Sequence, residues 1–229
     1  MTFINDLTFI HPSRWLIYGP SGSGKSTFVN NLILDSIELF GLQFDTILYC
    51  SGQGFPKFNK VNNVSILMCN SFTNSYIDNL DSKKNNLIII DDNMNIAAND
   101  ILISDLFTKK SHHKNITVIF LVQNLFPKSK YMRDISISST YIVLMKNPRE
   151  IFQIKLLSHQ INGEKSNFII DSYKDATKNK PYSYLLLDLG QTTHELLKVR
   201  TNVLSNEFPK VVYIEESVTY FNNETHFKV

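Results

Sequence analysis

Residues 19–26 read Gly-Pro-Ser-Gly-Ser-Gly-Lys-Ser, a complete G-x-x-x-x-G-K-S loop. A loop of this composition wraps phosphate oxygens with successive backbone N–H groups at the positive end of a helix. Gly19, Gly22 and Gly24 let the backbone approach those oxygens with no Cβ in the way. Pro20, Ser21, Ser23 and Thr27 complete the stretch that would line the phosphates. Lys25 would reach the β- and γ-phosphates, and the Ser26 hydroxyl would ligate Mg²⁺. The loop therefore implies a nucleoside triphosphate, ATP with Mg²⁺, as ligand.

A second cluster supplies the complementary chemistry. Asp91 and Asp92 follow the apolar run Leu87-Ile88-Ile89-Ile90. Carboxylates at the C-terminal end of a central strand lie where phosphates and Mg²⁺ sit. Asp91 is expected to hold Mg²⁺, and Asp92 to orient or deprotonate an attacking water. The apolar run 116–122 ends in Gln123-Asn124. A side-chain amide there can hydrogen-bond both the γ-phosphate and the water. Gln123 is thus the expected sensor of the bound nucleotide.

These residues need strands and helices to position them. Residues 14–18 read as a short strand feeding the loop, and 25–40 as a helix with apolar side chains at Phe28, Val29, Leu32, Ile33, Ile37 and Phe40. Further strands are expected at 44–50, 64–68, 87–90, 116–122, 140–145 and 183–188, with helices at 71–80, 96–111, 148–160 and 164–178. Alternating strands and helices predict an α/β fold with a mostly parallel central sheet flanked by helices. Residues 1–190 are expected to form the main domain. Residues 191–229 read as a C-terminal extension packed on or appended to the core, in the form of a small β appendage.

Length and composition set outer bounds. A chain of 229 residues with 43% hydrophobic and 19% charged residues is that of a globular protein with a sizeable core. The net charge of +2 is too small to argue for nucleic acid by itself. No apolar run approaches the length of a membrane span, and the N-terminus lacks the pattern of a secretory leader. Cys50 and Cys69 lack C-x-x-C spacing and read as buried thiols in a reducing compartment rather than as a disulfide.

Charge is nevertheless uneven. Between residues 104 and 133, Lys109, Lys110, Lys114, Lys128, Lys130 and Arg133 face Asp105 alone. Cations near a nucleotide can bind a polyanion backbone, or act on a neighbouring subunit's triphosphate. Lys57, Lys60, Lys128 and Lys130 are the candidate DNA contacts. His112 and His113 are adjacent and would point apart on a helix, so a metal site there is not expected.

Four ordered blocks, HPSRWLIYGPSGSGKSTF at 11–28, NLIIIDDNM at 86–94, LFTKKSHHKNITVIFLVQNLF at 106–126 and MRDISISSTYIVLMKNPRE at 132–150, resemble the HerA/FtsK-type genome-packaging ATPases of large eukaryotic DNA viruses. The resemblance spans about residues 9–190 and extends to the poxvirus-like and the polinton or adintovirus-like branches. It implies a P-loop NTPase core of the additional-strand, RecA-like kind. It further implies a homo-oligomeric ring, pentamer or hexamer, that translocates double-stranded DNA into a capsid through a capsid or portal-vertex partner. The implied setting is intracellular, in the host nucleus or a cytoplasmic virus factory, with virion association.

In that family a trans-acting arginine often precedes the sensor strand, whereas residues 109–114 hold lysines and histidines only. Lys110, Lys114, Arg133 and Arg149 are the candidate replacements, although lysine lacks arginine's planar fork. Arg14 could brush the nucleotide or lie exposed. A small-molecule or nucleoside kinase would close an arginine-rich lid, and the chain has only Arg14, Arg133, Arg149 and Arg200, unclustered. A GTPase would need an N-K-x-D segment, which is absent. A nucleotide binder without turnover would be expected to have lost part of the set Lys25, Ser26, Asp91, Asp92 and Gln123.

Overall fold

Short apolar runs, most of them buried on both faces, build a ten-stranded sheet in the computed structural model. The model describes residues 7–52, 64–91, 101–111, 114–126, 131–163, 166–215 and 217–221. Strands β1 (Arg14–Tyr18), β2 (Thr46–Ser51), β3 (Ser65–Cys69), β4 (Asn86–Asp91), β5 (Ile116–Val122) and β6 (Tyr141–Met145) are all parallel. Strands β7 (Tyr184–Asp188), β8 (Val199–Thr201), β9 (Lys210–Ile214) and β10 (Ser217–Phe221) then add antiparallel, each beside the last. The order across the sheet is β10-β9-β8-β7-β6-β1-β5-β4-β2-β3. The chain's final strands thus continue the central sheet instead of forming a sheet of their own.

Period-two alternation sorts the side chains into two cores. Trp15, Ile17, Ile47, Tyr49, Leu87, Ile89, Ile119 and Leu121 meet α1 (Lys25–Leu34) and α2 (Ser36–Phe40) on one face. Leu16, Tyr18, Leu48, Ile88, Val118 and Phe120 meet the helices of the other face. Those are α3 (Asn74–Asp78), α4 (Ile101–Asp105), α5 (Met132–Ser138), α6 (Ile151–Asn162) and α7 (Ser166–Ala176). The α4 helix runs directly into a π-helical turn, Leu106–Lys110.

Several boundaries differ from expectation. The helix expected over 25–40 breaks at Asp35 (φ −90°, ψ 11°), which lets α2 turn back over the aromatic cluster of Phe9, Trp15, Phe40 and Phe44. Of the helix expected at 71–80, only Asn74–Asp78 is helical. Cys50 and Cys69 are not free thiols: they are disulfide-bonded. The parallel register of β2 and β3 pairs these two residues directly, with Cα atoms 4.8 Å apart. The expectation of separate thiols failed because that register is a tertiary feature.

One buried ion pair ties the last strands to the core. Arg200 on β8 donates to Asp188 on β7 at 2.7 Å, and both side chains are almost wholly buried. The guanidinium also donates to the Leu7 carbonyl and lies over the Phe9 ring. Thr193 Oγ1 and the Gly190 N–H serve the other Asp188 oxygen. Replacing Asp188 by Asn removes the counter-charge of a buried cation. Asp188→Asn is expected to lower stability by about 3–5 kcal/mol, read as a shift of the urea midpoint at unchanged slope. A loss below about 1 kcal/mol would show that the pair is solvated.

Candidate active site

Strand β1 ends at Tyr18, and the chain turns at once into the glycine loop. The Gly19 N–H donates to the Val122 carbonyl at 3.0 Å, so the last residue of β5 holds the first residue of the loop. Gly22 (φ 74°) and Gly24 (φ 96°) occupy the left-handed region, which a side chain would strain. Gly24 caps α1, its carbonyl accepting from the Phe28 N–H at 2.8 Å. At Gly19 the constraint is steric: a Cβ would stand 2.6 Å from Met145 Cβ and 2.6 Å from Ser23 Oγ.

Within the loop, Lys25 is buried, with its Nζ donating to the carbonyls of Gly19 (2.7 Å) and Pro20 (3.0 Å). These contacts hold the ammonium inside the curve of the loop, where a phosphate would sit. Ser23 Oγ is buried and finds no hydrogen-bond partner among the described residues, which leaves it as a donor for a phosphate oxygen. Pro20 and Ser26 are half-buried, while Ser21 and Thr27 are exposed at the loop's mouth.

Alternation along β4 places Asp91 on the same face as Leu87 and Ile89, which is the face covered by α1. Asp91 Oδ2 lies 3.5 Å from Ser26 Oγ, joining two positions 65 residues apart in the chain. The Tyr49 hydroxyl on neighbouring β2 donates a short hydrogen bond to the same oxygen. Burial, then the hydrogen bond and charge of Asp91, push the Tyr49 phenol well above its usual range. Tyr49 therefore stays protonated and orients the carboxylate. A hydroxyl and an oriented carboxylate are hard oxygen donors of the kind that suit Mg²⁺. Among the described residues no cluster of three His, Cys, Asp or Glu side chains could hold a metal.

Gln123 directly follows Val122, whose carbonyl grips the loop, and its side chain is exposed. Asn124 Oδ1 accepts from the Phe126 N–H at 2.9 Å and shapes the following turn. On the other side of β1, Asn147 Nδ2 donates to the Tyr18 hydroxyl at 3.0 Å, and the Asn147 N–H to the Tyr173 hydroxyl at 2.8 Å. Burial raises both phenols, Tyr18 to about 12, so the network stays neutral. It fixes the strand end from which the loop springs.

Lys25, Ser26, Asp91 and the glycines are thus brought together, and Gln123 stands beside them. Asp92, Lys57, Lys60, Lys128, Lys130, His112 and His113 lie outside the described residues. Lys110 Nζ donates to Asn74 Oδ1 at 2.5 Å, and Lys114 Nζ to the Asp78 carbonyl at 3.4 Å. Both lysines therefore serve α3. Arg133 is exposed on α5, and Arg149 is exposed just past β6, at the sheet edge that carries the loop. Arg14 does not approach the nucleotide loop. It opens β1 at the opposite edge and donates to the Phe107 carbonyl at 3.2 Å. Tyr49 and Asn147 escaped the sequence reading. The one signal for Tyr49 is its alternation partner, Ser51, which pairs with Asp91 across β2 and β4.

No protein-family model and no curated protein matches the chain. Solved structures do. The genome-packaging NTPase B204 from Sulfolobus turreted icosahedral virus 2, in complex with ATP-gammaS, aligns with a TM-score of 0.56 at 14% identity. The alignment covers 82% of this chain and 95% of that one. B204 from Sulfolobus turreted icosahedral virus, a DNA-packaging ATPase, aligns with a TM-score of 0.54 at 15% identity over 83% and 96% of the two chains. The fold is that of a P-loop NTPase. Among the described residues no helix is long and apolar enough to cross a membrane.

The steric constraint at Gly19 gives a direct test. Gly19→Ala should displace the loop from Met145 and weaken binding of an ATP analogue at least about tenfold, measured by titration calorimetry. Unchanged affinity would show that the loop can shift without loss.

Proposed function

We propose that this chain is a DNA-translocating ATPase that packages double-stranded DNA, of the HerA/FtsK type. The observation that carries the reading is the meeting of Ser26 and Asp91 at 3.5 Å beside an intact glycine loop. The position of β5 between β1 and β4 supports an additional-strand, RecA-like core. The likeness to B204, a genome-packaging NTPase, supports packaging as the use of that core. On this reading residues 1–190 form the ATPase unit, and 191–229 an extension paired onto it.

The reaction joins ATP and water to give ADP and phosphate. Lys25 and the loop N–H groups hold the β- and γ-phosphates in place and balance their charge. Ser26 and Asp91 would hold Mg²⁺, which would supply charge neutralisation to the phosphates when bound. Tyr49 keeps the Asp91 carboxylate in its orientation. Asp92 accepts a proton from the attacking water as its oxygen bonds to phosphorus and the bond to the ADP oxygen breaks. Gln123 contacts the γ-phosphate and water, and because β5 also grips Gly19, loss of that phosphate is felt along β5. The loop after Gln123, with Lys128 and Lys130, and the segment holding Lys57 and Lys60 contact the DNA backbone. Subunits form a ring, pentamer or hexamer, with Arg149, Arg133, Lys110 or Lys114 reaching the neighbour's nucleotide. A capsid or portal-vertex protein anchors the ring in an intracellular, virus-associated setting.

Steady-state hydrolysis with and without long double-stranded DNA tests the reading. Turnover should rise with DNA and vanish in Lys25→Ala. Turnover indifferent to DNA but stimulated by a small acceptor would replace the motor with a kinase. Asp92→Asn should still bind ATP while hydrolysing it about 100- to 10,000-fold more slowly. Full turnover in that variant would remove Asp92 from the base role. Tyr49→Phe should raise the Mg²⁺ needed for half-maximal turnover about tenfold or more, and an unchanged requirement would deny Tyr49 its orienting role. Neutralising Lys57, Lys60, Lys128 and Lys130 together should flatten the salt dependence of DNA-stimulated turnover. An unaltered slope would place the DNA elsewhere.

A further inference from the structure

An aromatic side chain outside every element discussed so far stands over the glycine loop. Tyr182 lies in the turn between α7 and β7, and it is 65% exposed. Phe152 is as exposed, at 67%, and Phe208 is 47% exposed. Its backbone is left-handed (φ 58°), which a bulky residue adopts at a cost. Its place is specific: a Cβ at Gly24 would stand 3.2 Å from Tyr182 Cβ and 3.3 Å from Tyr182 Cδ1. The ring therefore packs where the loop passes into α1.

The turn that carries it is pinned to the site. The Lys146 N–H donates to the Ser183 carbonyl at 2.8 Å. Lys146 Nζ donates to the carbonyls of Lys178 (3.4 Å) and Lys180 (3.3 Å), and Ser183 Oγ to the Lys180 carbonyl (2.7 Å). Lys146 directly follows Met145, which packs on Gly19 and Gly24. The turn thus holds a largely exposed aromatic ring beside the glycine loop, in a backbone conformation that a bulky residue adopts at a cost.

Phosphates seated against the N–H groups at the start of α1 send the attached ribose and base outward, past the end of the loop. The inner side is closed by β1 and by the grip of Val122 on Gly19. We propose that Tyr182 is the stacking platform for the base of the bound nucleoside triphosphate. This rests on the proposed nucleotide site and adds the group that recognises the base. Stacking uses the π-face that all bases share. The platform thus selects a nucleotide over a bare polyphosphate, and discriminates little between adenine and guanine.

The test is titration calorimetry of the full chain with Mg²⁺ and three probes: ATP-gammaS, its guanine counterpart and inorganic tripolyphosphate. Tyr182→Ala should weaken both nucleotides by about tenfold or more and leave tripolyphosphate binding as in the wild type. Tyr182→Phe, which keeps the ring, should restore nucleotide affinity. Equal weakening of all three probes would make Tyr182 a support of the loop and overturn the platform. Unaltered nucleotide affinity in Tyr182→Ala would overturn it too, with the phosphate site left standing. Failure of the wild type to bind any probe would overturn the nucleotide site and the platform together.

Discussion

The missing side chain at Gly19 is the constraint on which the rest of the site depends. Met145 Cβ and Ser23 Oγ crowd the place a methyl group would take. The loop can therefore lie flat between β5 and β6, and its first N–H can reach the Val122 carbonyl. That contact fixes where α1 begins, and with it the positions of Lys25 and Ser26. Everything on the opposite side, Asp91 above all, then has a fixed partner to meet.

The polar groups around the loop follow one design. Two side chains at the ends of strands are each oriented by a group from a neighbouring strand or the turn just past one. Tyr49 on β2 holds Asp91 on β4, and Asn147 beyond β6 holds Tyr18 on β1. Burial keeps the phenols in their neutral, donating form. Orientation is thus supplied by uncharged donors, which leave the net charge of Asp91 in place.

Much of this was legible in the sequence because it is local. The run Leu87–Ile90 is apolar throughout and Ile116–Val122 is apolar but for Thr117, and runs this short between turn residues fit strands buried on both faces. The loop announced itself by glycine, lysine and serine spacing. What escaped was set by register between distant segments. The Cys50–Cys69 bond needs β2 and β3 in phase, and Tyr49 is functional only because β2 lies against β4. The break at Asp35 is likewise tertiary: the amphipathic pattern runs on through it, and the turn serves the aromatic cluster around Phe9 and Trp15. Arg14 misled because its place at the start of a strand puts it at the wrong edge of the sheet.

The placement of β1 between β5 and β6 also governs how the molecule assembles. Its partners, around Val118 and Tyr141, lie roughly a hundred residues or more further along the chain. The antiparallel strands, by contrast, join near neighbours, as Ile214 joins Ser217. Loop closure over such spans costs entropy before any contact repays it, and contacts of long separation form slowly. During synthesis the glycine loop emerges before β5 and β6, the strands whose residues hold it in place. The chain therefore acquires its secondary structure well before it acquires its chemistry.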